Sequence, residues 1–199
     1  MACCLGLQEN LLPFDGELYK IPQIYQHAEA LALFLQLHDN LAWREEQLFL
    51  FGKWVKSPRL VCWYGDANAS YRYSGIDHQP LAWPELLWGI KMRMEQQCAY
   101  QFNSVLGNLY RDGQDAMGWH SDKEPELGAQ PLIASLSFGE TRLFKLCHKK
   151  SKHSVNIELA DADLLIMAGS LQQHWRHALP KSKRLKRPRI NLTFRKILV

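Results

Sequence analysis

The sequence predicts a mainly β protein with flanking helices, an α+β chain built on a β-sandwich or jelly roll. Three observations predict it. Residues 24–40 and 84–98 carry apolar side chains at helical spacing. From Phe102 onward, apolar and β-branched runs of strand length follow one another between turn residues. The last run alternates with period two. Many short strands after early helices pack as two sheets buttressed by helices. Of the 199 residues, 47% are hydrophobic and 22% charged, which calls for a packed core rather than disorder.

The elements follow in order. "IYQHAEALALFLQLHDN" (24–40) has Ala and Leu at helical intervals and no proline, so it reads as a helix. "EQLFLFGKWVKSPRLVCWYGDANASYRYSG" is aromatic, β-branched and broken by Gly, Pro and Asn, so it reads as short strands and hairpins. "PELLWGIKMRMEQQC" (84–98) is a second helix, with Pro84 in its first turn. Strands are then expected at "FNSVLGNLY", "LIASLSFG", "TRLFKLCH", "SVNIEL", "DLLIMAG" and "RINLTFRKI". There is no internal repeat and no linker, so residues 1–199 are expected to form one domain.

Composition narrows the function classes. A net charge of +4 is compatible with a polyanionic partner without requiring one. The five cysteines (3, 4, 62, 98 and 147) are scattered and lack C-x-x-C spacing, as thiols of a reducing compartment do. Lipidation of Cys3 or Cys4 is a weaker reading than plain thiols. The start has neither a basic region nor an apolar stretch of signal-peptide type, and no run is long enough to span a membrane. An intracellular protein with no membrane partner is expected.

The chemistry-bearing stretches are few. "GWHSDKEPE" holds His120 and Asp122 two positions apart, and on a strand residues two apart share a face. Alone this is a weak metal signal, more often a pair of polar residues on a solvated turn. In "RPRINLTFRKI", Arg189, Asn191, Thr193 and Arg195 alternate with Ile190, Leu192 and Phe194. An ordinary half-exposed strand accounts for the alternation. A polar interior face accounts better for two arginines, whose planar forks suit carboxylates. Asn108 and Tyr110 in "NLY" repeat the theme. "LQQHWRHALP" offers His174 and His177, either of which completes a 2-His-1-carboxylate set, the arrangement that leaves open positions on Fe(II). A zinc hydrolase uses the same ligand types but leaves the paired arginines unexplained. His27, His38, His78, His148 and His153 read as surface or packing residues.

From about Phe49 to the C-terminus the sequence resembles the AlkB family of Fe(II)/2-oxoglutarate dioxygenases. The likeness is to the duplex-DNA repair branch that carries a base-flipping hairpin. It rests on "FGKW", "YGD", "YRYSG", "NLYRDG", "WHSDKE", "SLSFG", "HWRHALP" and "PRINLTFRKI" in order. The first 48 or so residues carry no matching motif. The resemblance implies a double-stranded β-helix (jelly-roll) core, with residues 45–80 forming a nucleotide-recognition lid and hairpins. It implies Fe(II) held by His120, Asp122 and His177, with 2-oxoglutarate and O2 as co-substrates. Arg189 is implied to pair with the distal carboxylate of 2-oxoglutarate, helped by Tyr110, with Asn108, Asn191, Thr193 and Arg195 lining the rest.

On the substrate side the resemblance implies a hairpin tip at Phe51, Gly52 and Lys53, with Phe51 as the wedge; the plain reading is a buried strand residue. Tyr71 and Tyr73 fall in the lid, Tyr73 standing where the nearest members have Phe. Glu124 is implied to accept from an exocyclic amine, against the plain reading of a solvated carboxylate. Lys183 and Arg184 match a basic loop that holds the opposite strand, Ser182 departing from the basic residue expected there. The function implied is oxidative demethylation of 1-methyladenine and 3-methylcytosine in alkylated, double-stranded DNA by a monomer. Its compartment is the cytoplasm of a prokaryote or the nucleus of a eukaryote. Alternatives are the same oxygenase chemistry on RNA or a protein side chain, and a nucleic-acid-binding module with a vestigial metal site. The triad and the paired arginines count against the last.

Overall fold

The computed structural model describes residues 8–50, 52–69, 71–73, 76–184 and 186–198. Thirteen strands and three α-helices run in the order β1 (Glu17–Ile21), α1 (His27–Asn40), β2 (Arg44–Leu50), β3 (Lys53–Gly65), β4 (Tyr71–Tyr73), β5 (Ile76–His78), α2 (Glu85–Cys98), β6 (Ser104–Tyr110), β7 (Met117–His120), β8 (Ile133–Gly139), β9 (Arg142–His148), β10 (Ser154–Leu159), β11 (Leu164–Ala168), α3 (Leu171–His174), β12 (Trp175–Leu179) and β13 (Arg189–Arg195) among the described residues. A seven-stranded sheet has the order β1-β11-β8-β13-β6-β3-β2, and a four-stranded sheet the order β10-β9-β12-β7. Neighbours within both sheets are antiparallel. The two sheets make the jelly-roll core, and β4 pairs with β5 apart from them.

The large sheet is buried on both faces. On the outer one, Ile190, Leu192 and Phe194 of β13 pack with Leu109 and Phe138 against Ala30 and Leu37 of α1 and Leu87, Ile90 and Met94 of α2. Each such side chain, fully buried, contributes about 1.5–3 kcal/mol. On the inner face a second cluster joins Leu18, Ile133, Leu165 and Met167 to Phe144, Leu146, Trp175 and Leu179 of the small sheet. The polar residues of β13 lie between these layers, all buried.

Helices α1 and α2 fall within three residues of their expected bounds, and the expected strands from Phe102 onward all form, with β7, α3 and β12 added between them. Three further differences stand out. Pro84 caps α2 from an extended conformation (φ −72°, ψ 154°) instead of entering its first turn. Residues 53–65 form one 13-residue strand, not several short ones. There the pairing jumps from Glu45↔Leu60 to Gln47↔Lys56, so Ser57, Pro58 and Arg59 stand opposite Glu46 alone. Pro58, with no N–H to give, is tolerated at this bulge. Finally β1, unforeseen in the sequence, adds to the sheet edge by pairing with β11.

Candidate active site

His177 on β12 pairs directly across from His120 on β7, bringing the ring centroids within 4.2 Å. Asp122 lies two residues past β7's last position and turns back, its Oδ1 3.6 Å from His120 Nε2. Donor atoms from these three residues all lie within 4.8 Å of one another. Local bonds hold them. His120 Nδ1 is 2.9 Å from the Gly118 carbonyl, which makes that nitrogen the donor and leaves Nε2 its lone pair. Ser121 Oγ donates to the Trp175 carbonyl, and the Asp122 amide donates to Gln172 Oε1 at 3.0 Å. Gln172, buried in the single turn of α3, is a supporting residue that the sequence reading missed; a lone glutamine gave no signal.

His174 ends α3 while His177 sits in the following strand, so they do not share one extended segment. His177, not His174, joins the cluster with His120 and Asp122.

Arg195 donates from Nε and Nη2 to Asp122 Oδ2, at 3.2 and 2.7 Å, leaving Oδ1 toward the histidines. Burial pushes the Asp122 pKa up. The charge of Arg195, and its hydrogen bonds, lead the effects that outweigh burial and hold it well below the usual carboxylate range. His177 is pushed down to about 3, by burial first and then by His120, so its imidazole is neutral near pH 7. A deprotonated carboxylate and neutral imidazoles are the states that bind a metal ion.

The same cavity runs down β13 and β6. Arg189, Asn191, Thr193 and Arg195 line it with Asn108 and Tyr110. Arg189 is 2% exposed and donates to Ser137 Oγ at 2.8 Å, yet its Nε has no hydrogen-bond partner among the described residues. Burial pushes its pKa down to about 10, leaving it protonated at neutral pH. Among the described residues no carboxylate pairs with it, and a buried cation without an anion is costly. The site therefore fits an anion there, and the carboxylate-bearing co-substrate matches that chemistry. Tyr110 stacks below the guanidinium at 5.4 Å. Asn191 is fixed by Ser135, the Leu136 carbonyl and Thr193. Asn108 Oδ1 accepts from Arg59 Nε at 2.6 Å. Arg59 is a second missed residue, aimed inward by the bulge at Pro58.

Glu124 also lines the cavity, and its buried Oε2 has no hydrogen-bond partner among the described residues. Gly52, at φ +78°, turns the β2–β3 hairpin with open space around it; Lys53 is exposed, as is Trp54 at 63%. Phe51 lies outside the described residues. Tyr71 and Tyr73 belong to β4, but their side chains lie outside what is described. Lys183 and Arg184 are exposed, in a turn tied by the Arg184 amide to Ser182 Oγ and by the Ser182 amide to the Gly113 carbonyl.

Comparison with known proteins places this geometry. The family model described as the 2OG-Fe(II) oxygenase superfamily matches residues 17–195. Mouse "Alpha-ketoglutarate-dependent dioxygenase alkB homolog 3" is 40% identical over 179 residues, covering 85% of this chain and 62% of its own length. The chain thus spans about three fifths of that relative. Mouse "DNA oxidative demethylase ALKBH2" is 39% identical over 186 residues, covering 88% of this chain and 78% of its own length. The solved structure of OsALKBH1 shares the fold, with a TM-score of 0.60 at 15% identity over 93% of this chain and 99% of that one. The superfamily implies Fe(II), 2-oxoglutarate and O2, and the His120–Asp122–His177 donor set suits the iron. With this sequence match and this arrangement of inward-facing side chains, the chain belongs to the AlkB family of 2OG-Fe(II) oxygenases.

Proposed function

We propose that this chain is an oxidative demethylase of N-alkylated DNA bases, acting on 1-methyladenine and 3-methylcytosine, with duplex DNA as its substrate. The observation that carries the reading is the carboxylate of Glu124. It lines the same cavity as His120 and Asp122, and its buried Oε2 has no hydrogen-bond partner among the described residues. A carboxylate accepts a hydrogen bond from the exocyclic amine that both adenine and cytosine carry. The name of the relative ALKBH2, a DNA oxidative demethylase, supports the same reading.

When bound, Fe(II) with 2-oxoglutarate and O2 supplies the oxidation that hydroxylates the N-methyl group, which then leaves as formaldehyde, with succinate and CO2 as co-products. The chain's own residues do the rest. His120, Asp122 and His177 present three donors on one side of the cavity. Arg189 and Tyr110 hold the far carboxylate of 2-oxoglutarate and so orient its other end toward the triad. Arg195 keeps Asp122 charged and fixed. The methyl groups of these lesions lie on the Watson–Crick edge, so the base must leave the stack. The exposed Lys53 and Trp54 beside the Gly52 turn suit a hairpin that meets nucleic acid. Lys183 and Arg184 supply charge for a phosphate backbone.

The test is mass spectrometry of oligonucleotides bearing single 1-methyladenine or 3-methylcytosine residues, incubated with enzyme, Fe(II), 2-oxoglutarate and ascorbate. Duplex DNA, single-stranded DNA and RNA of one sequence are compared. Loss of one methyl mass in the duplex is expected. Turnover of RNA alone, or of none of the three, overturns the proposal.

A further inference from the structure

We propose that Asp15, His148 and His174 form a second metal site, distinct from the His120–Asp122–His177 cluster, for a divalent transition ion of the zinc type. Three segments distant in sequence meet there: the stretch before β1, the end of β9 and the end of α3. One donor atom from each lies within 4.8 Å of the others. His148 is the anchor. Its side chain is only 5% exposed, and its Nε2, 3.3 Å from Asp15 Oδ2, makes no hydrogen bond among the described residues. The sequence reading took this histidine for a surface or packing residue. It is packed, a buried imidazole with Nε2 facing the Asp15 carboxylate and the His174 ring nearby.

The surroundings hold all three residues in place. Trp175 Nε1 donates to the Phe14 and Asp15 carbonyls at 3.2 and 3.1 Å, fixing the backbone that carries the carboxylate. The Lys149 amide donates to the His174 carbonyl, and Lys149 Nζ donates to the Gln172 and Gln173 carbonyls, so α3 is stitched to the residue after His148. The His148 and His174 rings lie nearly parallel, with centroids 6.1 Å apart. Phe14 and Trp175 wall His148 on its edges.

The donor set selects the ion. Two imidazoles and one carboxylate suit zinc, nickel or copper, whereas calcium and magnesium want oxygen ligands. Bonds of about 2.0–2.2 Å put two donors on one ion about 3–4 Å apart, so closing from 4.8 Å asks about 1 Å of the exposed Asp15 and partly exposed His174. The Ser151 amide donates to His148 Nδ1 at 3.0 Å, which puts the ring proton on Nε2. Metal on Nε2 requires the other tautomer. Nδ1–H then donates to Ser151 Oγ, already 2.8 Å away, and the amide gives up its acceptor. Loaded this way, the site ties the segment before β1 to α3, three residues from His177.

Equilibrium dialysis of the full chain against Zn(II), with elemental analysis, counts the sites. The wild type is expected to hold two zinc ions per chain. His174→Ala and Asp15→Asn, both at solvent-reachable positions that leave the core intact, are expected to hold one, as is His177→Ala. A thermal melt separates the two sites further: zinc should still raise the Tm of His177→Ala and should fail to raise that of His174→Ala/His177→Ala. One zinc in the wild type that disappears with His177→Ala overturns the second site and leaves the triad standing. Two zinc ions retained in both His174→Ala and Asp15→Asn overturn it as well.

Discussion

Arg189 and Arg195 sit six residues apart on one strand and do different work. Arg195 has an anion of its own in Asp122, whereas Arg189 has Ser137 and a tyrosine ring but no carboxylate among the described residues. A buried guanidinium with no carboxylate beside it among the described residues fits a ligand's carboxylate, as the proposed function requires. Arg189→Lys keeps the charge and loses the two-pronged donor. A charge-assisted hydrogen bond contributes about 1.5–3 kcal/mol, so a roughly tenfold or larger rise in the Kd for 2-oxoglutarate is expected. Titration of the Mn(II)-loaded protein, read by tryptophan fluorescence, measures it without turnover. An unchanged Kd would place the co-substrate carboxylate elsewhere.

Elements set what single residues are free to do. β6 is a central strand, and Gly107 faces Cys62 and Trp43 across it. A Cβ at Gly107 would stand 2.5 Å from Cys62 Sγ and 3.0 Å from the Trp43 ring. Gly107→Ala is therefore expected to cost about 1–3 kcal/mol, as overpacking does, visible as a lowered urea midpoint with an unchanged m-value. The β2–β3 hairpin poses a different question. Extruding a nucleotide costs a few kcal/mol, and an aromatic stacked on bases returns about 1–3 kcal/mol. Phe51→Ala is thus expected to slow demethylation of a methylated duplex by about tenfold or more and to change the single-strand rate far less. Equal losses on both substrates with a lowered Tm would mark Phe51 as a packing residue.

At the scale of the whole molecule the candidate site is a seam. His120 and His177 come from the small sheet, Arg189 and Tyr110 from the large one, and Asp122 is tied to the large sheet through Arg195. Ligands that touch both sheets should stabilise both together. With Mn(II) and 2-oxoglutarate at about 100 times their Kd, each ligand adds about 2.7 kcal/mol. For a chain of this size that corresponds to a Tm rise of about 5–10 °C per ligand. Calorimetry with and without each ligand measures it, and Arg189→Lys should lose about half or more of the 2-oxoglutarate increment while keeping that of Mn(II).

Periodicity in the sequence determined most of the strands from Phe102 onward and both long helices, because each of those segments carries its own signal. The alternation in residues 189–195 separated four polar from three apolar residues, but an isolated strand does not say which face meets water. Tertiary structure decided that neither does: helices cover Ile190, Leu192 and Phe194, and the small sheet roofs the arginines. Spacing alone left His174 and His177 as equal candidates. The register of β12 on β7 separates them, since only His177 falls opposite His120. β1 was illegible because "ELYKI" shows no distinctive pattern and forms by adding to an edge. Arg59 and His148 were illegible for a related reason. Burial of a polar side chain follows from a bulge or from a meeting of distant segments, and nothing local in the chain records which segments will meet.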